Sequence, residues 1–428
     1  MKRINYLFLF LSIFMIHGCS DSVEETVTYK INEPVFMSAD LFRKSVRVTQ
    51  VPQEIGKQGK IAFFQGYMYI SEPEKGIHII DNRNPANPNT IGFIELLGNA
   101  DMAIKDNILY ADSYIDLVWF DVSTPAQPRL LGRKEEVFPT SVPATENNYL
   151  CDYEKSMDRS NGIVIGWVVS ERTEKYMRDR NFWWWGGGML EDSAPMANSS
   201  YSGGTKSAVG QTGSMSRFAI YKNYLYTVLK NQLGIFNIEL PSPVKSGENF
   251  YVGSNVETIF SYKDYMYMGT PTGMLIYSVA DPVKPERLAS VTHILGCDPV
   301  VVENDVAYVT IHSGNFCGQN SNQLLIYNVI DPKHPKHIVS YEMKNPKGLG
   351  IDNGTLFLCD EGLKVFNAEN PLTIMDPKNL LAHEKGMDGY DLIAFEKTLM
   401  MMAADGIYQY DYTDLKNIKP LSKITIGN

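Results

Sequence analysis

Carboxylates recur at matching points along this 428-residue chain. Glu72, Asp112, Asp360 and Asp405 each stand just past a short apolar run, while Asp101, Asp298 and Asp391 stand just before one. Gathered on one surface, such acids could bind a divalent cation or accept hydrogen bonds from sugar hydroxyls. As a pair they could do acid–base work on a glycoside. The competing reading is that acids at loop ends cap turns and keep the surface soluble. The chain has no Asp-x-Asp-x-Asp loop, so a tight calcium site of that kind is not expected, and no cofactor is assigned.

Two further sets have chemistry in their spacing. His293-x3-Cys297 and His312-x4-Cys317 are compatible with a two-Cys, two-His zinc site, but the spacing is not diagnostic. A Cys297–Cys317 disulfide is the preferred reading; with Cys151 and Cys359, four cysteines allow three pairings. No Cys-x-x-Cys is present, nor a Gly-x-Ser-x-Gly, a His-Glu-x-x-His or a phosphate-cradling glycine loop, so no catalytic residue is assigned. The third set is NFWWWGGGML at 181–190, where Trp183, Trp184 and Trp185 run into three glycines. Such rings could stack on a sugar or protein, or pack inward to hold a loop down.

The start of the chain sets the compartment. Lys2 and Arg3 precede an apolar run from Leu7 to Ile16, too short to span a bilayer and of the length of a signal-peptide core. Ile16-His17-Gly18-Cys19 resembles a bacterial lipobox, with Cys19 as the lipidated residue and residues 1–18 removed. The acidic stretch SDSVEE behind it resembles the surface-export signal of Bacteroidota lipoproteins. Residues 19–33 then read as a flexible linker to an outer-membrane lipid anchor, with the protein displayed at the cell surface or held on the periplasmic face. Loss of Lys2 and Arg3 moves the formal charge from −10 to −12. With no basic run remaining, nucleic acid is excluded as a partner.

The elements that must position these residues form a repeat. An apolar run ending in Asp, Asn or Ser, with Pro four residues on, occurs at Asp81, Asp121, Asn237, Ser278, Asn328 and Asn367. A degenerate seventh copy at Asp411 lacks the proline. Each is preceded by a second apolar run carrying Tyr69, Tyr110, Tyr226, Tyr267, Tyr308, Phe357 or Met400. A third run lies before that, and a fourth follows the turn. Four short strands per period of 39 to 50 residues is the signature of a β-propeller. At each copy the Asp or Asn can bond its own backbone two residues on, and proline presets φ for the turn.

Ile77–Pro88 and Leu117–Pro128, which carry both prolines of the pattern, resemble the LVIVD-repeat proteins, a family of bacterial cell-surface propellers. The resemblance extends over roughly 60–140 and 215–428. It implies the fold and the surface location, and it carries over no catalytic residue.

The spacing therefore predicts an all-β fold: a propeller of seven blades of four antiparallel strands over 34–428, with 141–215 as an insertion between blades 2 and 3. One anchor interval, of 116 residues, leaves an eighth blade as the alternative. Ser45–Thr49 is a candidate strand for closing the ring, Glu171–Arg180 a solvated helix or arm, and the methionines of 387–402 core. In a propeller the insertion and the acids share the face formed by the strand 2–3 loops and the connections between blades. The expected function is a surface-anchored binding scaffold for a protein or glycan partner on that face. The alternatives are a glycan-cleaving envelope enzyme and a structural subunit of an outer-membrane complex.

Overall fold

The computed structural model describes residues 23–145, 147–178, 199–200, 209–214, 216–253, 255–292, 299–312 and 321–427. Seven antiparallel sheets of four consecutive strands follow one another around a channel, at 61–95, 102–134, 218–245, 258–292, 300–342, 349–384 and 389–425. From blade 1 to blade 7 the inner strand of each blade lies against that of the next, which is the propeller arrangement. Nothing between 141 and 217 forms a further blade among the described residues, which hold seven blades.

Each blade repeats the same physical devices. The aromatic or Met of the second strand is buried in all seven, from Tyr69 to Met400. The strand 1–2 hairpins turn through left-handed residues, among them Gln65, Asp106, Lys222, Lys263, Asn304, Asn353 and Glu396. At the end of the third strand the expected side-chain turn forms in every copy. Asp81, Asp121, Asn237, Ser278, Asn328, Asn367 and Asp411 each accept from the backbone N–H two residues on, at 2.8–3.4 Å. The next backbone N–H then reaches across to the strand 1–2 hairpin, as Asn82 does to Gly66 O and Val329 to Asp305 O, both at 2.8 Å. The repeated motif thus ties two turns of one face together. The methionines Met400, Met401 and Met402 are core, as expected.

Three expectations are corrected. Residues 23–33 are not a linker: they begin the strand Val23–Met37, paired along its whole length with Ile163–Arg178. That second strand also takes in the stretch expected as a helix or solvated arm. Its i,i+4 charges suit a helix, but a partner chain supplying a hydrogen-bond ladder of this length outweighs local propensity. Arg47–Thr49 does not close the ring; it adds a fifth, outer strand to blade 1, beside Asn89–Glu95. The ring's ends instead meet through the bridge of Ile55 to Ile426.

The two long strands form a ribbon that rises from blades 1 and 2 on the loop face. At its base Ile163 packs with Phe42, Tyr114 and Ile115. A short third strand, Leu150–Cys151, pairs at Ile31 and Asn32. Beyond that point no further described strand pairs with the ribbon, and Thr26, Val27, Thr28 and Lys30 are exposed, as are Glu171, Thr173 and Lys175.

Candidate functional site

The insertion returns to the propeller through its channel. Gln211 and Thr212 pair antiparallel with Phe63 and Ala62, so Gln211–Gly213 adds a strand to the inner edge of blade 1. Val209 bridges to Lys105 of blade 2, and Gly210 N–H donates to Ile104 O at 2.7 Å. Ser199–Ser200 pairs with the far side of this channel strand. Gly213 is required where it sits, because a Cβ there would lie 1.9 Å from Asp391 Oδ2.

The expected entrance acids Asp101 and Asp391 meet at this strand, and both are buried. Each first caps its own blade: Asp101 accepts from Met102 N–H, and Asp391 from Leu392 N–H, at 2.8 Å. Asp391 then accepts from Ser214 N–H at 2.8 Å, while Ser214 Oγ accepts from Leu349 N–H of blade 6. Asp101 accepts from Ser216 Oγ (2.9 Å), from Arg217 N–H (2.5 Å) and from buried Lys60 Nζ (3.1 Å). Ile259 N–H of blade 4 donates to Ser216 O. A nine-residue passage, 209–217, is therefore bonded to blades 1, 2, 4, 6 and 7.

Burial governs the electrostatics here. It raises Asp391 to about 7, against the Ser214 and Leu392 N–H groups. It raises Asp112 to about 6, although Arg217 and the N–H groups of Ala100 and Asp101 favour its charge. It lowers Lys60, opposed by Asp101.

The acids expected as a binding arc have a shared structural task. Glu72 and Asp112, at the ends of second strands, and Asp360, just past one, take hold of the connection arriving from the preceding segment. Asp112 Oδ1 accepts from Ala100 N–H (2.7 Å) and Asp101 N–H (2.9 Å). Asp360 Oδ1 accepts from Lys344 N–H (3.1 Å) and Asn345 N–H (2.6 Å). Glu72 accepts from the backbone of Gly56. Each also has a side-chain partner. Arg217 is 3.5 Å from Asp112, and Lys364 is 2.6 Å from Asp360; Lys75 (2.5 Å) and buried His78 (2.8 Å) bond Glu72. Burial works against charge on Glu72, but these donors outweigh it and hold its carboxyl below the usual range. Asp405 differs: it is exposed and bonds Tyr408 and Lys423. The arc is thus a set of loop latches with internal partners, and no group of three metal-ligating side chains gathers among the described residues.

Sequence reasoning missed Lys60, Ser214, Ser216 and Arg217, which engage the carboxylates from outside any repeat. The glycines at 210 and 213 were the sole signal of close backbone approach. Trp183, Trp184, Trp185, Cys19, His293, Cys297, Asp298 and Cys317 lie outside the described residues. So does any test of the Cys297–Cys317 pairing. Of the other cysteines, Cys359 is buried in the blade 6–7 core, and burial pushes its thiol up. On the turn face, a cavity of about 500 Å³ opens between Val48–Gln50 and the Asp121–Arg129 turn.

Comparison with known proteins agrees with the fold. The family model described as the LVIVD repeat matches residues 55–94, which take in all but the last residue of the four consecutive strands of blade 1. No curated protein matches the chain. Among solved structures, Hsv2p of Kluyveromyces lactis is 10% identical, with a TM-score of 0.44, over 87% of this chain and 99% of that one. BamB of Moraxella catarrhalis is 11% identical, with a TM-score of 0.42, over 85% and 99%. These are likenesses of chain path.

Proposed function

We propose that this LVIVD-repeat propeller is a membrane-anchored, non-catalytic scaffold that binds a protein or glycan partner through its loop face. The observation that carries this reading is the use of the channel-mouth and arc carboxylates. Those that would serve a hydrolase or lyase are held by Lys60, Arg217, Lys364, Lys75, His78 and backbone N–H groups. Acid–base catalysis on a glycoside needs a pair of carboxyls open to substrate at a set separation. Carboxylates committed to internal bonds do not meet that need.

The anchor is Cys19, lipidated after removal of residues 1–18 and placed in the outer membrane, with the propeller at the cell surface. Acyl chains contribute roughly 0.8 kcal/mol per buried methylene, so multiple acylation gives stable attachment. Trp183–Trp185 supply the aromatic contact to the partner.

The test is a pull-down of the lipidated protein from its own outer membrane, beside a variant in which 181–196 is replaced by a short Gly-Ser linker. This replacement spares the ribbon and the channel strand, so the propeller stays intact. Loss of a specific partner supports the scaffold reading; an unchanged profile overturns it. Co-purification of an integral membrane protein from both would favour the structural-subunit alternative.

A further inference from the structure

We infer that the ribbon of Val23–Met37 and Ile163–Arg178 is a spacer that holds the propeller at a fixed height above a lipid surface. This rests on the anchoring of Cys19 proposed above. Fifteen pairs join the strands, from Val23 with Arg178 at the tip to Met37 with Ile163 at the base. At about 3.3 Å per residue the ribbon is about 50 Å long.

A linker of the same composition would let the propeller sample all heights, and three features replace that freedom with a fixed length. First, the ladder is continuous apart from one shift between Val35 and Phe36, at the base. Second, the base is fixed on two sides. Arg172 bonds Asp152 at 2.5 Å and Glu33 at 3.5 Å, Lys155 bonds Glu33 at 3.2 Å, and Trp167 Nε1 donates to Pro143 O at 2.8 Å. Third, the outer part is held by cross-strand side chains, with Thr28 Oγ1 bonded to Thr173 Oγ1 at 2.8 Å, and polar side chains stand on both faces: Thr26, Thr28 and Thr173 on one, Arg172 and Glu174 beside Val27 and Tyr29 on the other. An unsupported two-stranded ribbon is marginal in water. Such a length of ladder, with no described element pairing its outer part, is understandable where separation itself is the task.

The place where the chain leaves the ribbon identifies what is spaced. Val23, at the tip, is four residues from Cys19. The lipid end of the molecule therefore meets the tip, and the propeller's loop face, from which the ribbon rises, is the face turned toward the lipid.

The test uses full-length lipidated protein on a supported bilayer, with the height of the propeller read by neutron reflectometry. Removing Glu25–Thr28 together with Thr173–Tyr176 deletes four matched pairs and preserves the alternation of faces. It spares the Arg172 contacts. The expected result is a drop of about 13 Å; inserting four matched pairs is expected to raise the propeller by the same amount. Heights unchanged in both variants overturn the spacer. A Cys19→Ala variant separates the two claims: if it stays on the membrane as the parent does, the anchor reading fails whatever the heights show. If it is released while the length variants keep the parental height, only the spacer fails.

Discussion

Asp391 and Asp112 are carboxyls whose burial favours the protonated form, raising them to about 7 and about 6. A raised carboxyl contributes stability that is complete below its ordinary value near 4 and is lost as pH rises through its folded value. Asp391→Asn keeps an acceptor for Ser214 and Leu392 but cannot ionise. Urea unfolding at pH 5 and pH 8 is expected to show the parent losing on the order of 1–4 kcal/mol relative to this variant. Equal losses in both would refute the assignment. Asp101→Ala removes the partner of buried Lys60 and of three further donors, Met102 N–H, Ser216 Oγ and Arg217 N–H. Its expected cost is about 3–5 kcal/mol, read from the same unfolding curves. Because the arc acids already hold Lys, Arg and backbone donors, EDTA is expected to leave the thermal melt of the soluble form in place. A downward shift in Tm would reveal a bound cation.

The turn motif and the channel strand make separate predictions at the level of elements. Asn328→Ala deletes one side-chain bond to Ile330 N–H in blade 5 and is expected to cost about 0.5–1.5 kcal/mol. The corresponding change at Asn367 should cost a similar amount, since the bond is the same. Gly213→Ala sets a methyl against Asp391, so the strand must shift or leave. Hydrogen exchange should then quicken at Thr212 and Ser214 while the outer strands of the blades keep their protection. Uniform exchange at wild-type rates would refute the close contact. The seven turns were legible in the sequence because an Asp or Asn with a following Pro is a local device, complete within a few residues. The channel strand was not, because most of its partners are more than 100 residues away and it repeats nothing. The ribbon was hidden for the same reason. Thr26-Val-Thr-Tyr-Lys-Ile31 does alternate, with Val27, Tyr29 and Ile31 on one face, but its partner Glu171-Arg-Thr-Glu174 is polar on both faces and lies 145 residues on, so no local pattern joins the two. Glu72, Asp112 and Asp360 lie at or just past the ends of second strands, but the partners Lys60 and Arg217 of the acids lie outside the repeat.

For the molecule as a whole, the four-stranded blades follow one another in sequence order, and among the described residues no strand passes from the last blade to the first. What ties the ring across its centre is the passage 209–217, contributed from between blades 2 and 3. A growing chain therefore presents this passage before blades 3 to 7 have been made. Blades 4, 6 and 7 must find their bonds to Ser216 and Ser214 afterwards. The order of synthesis makes the centre older than most of the ring, so the wheel is built around an axle that is already in place.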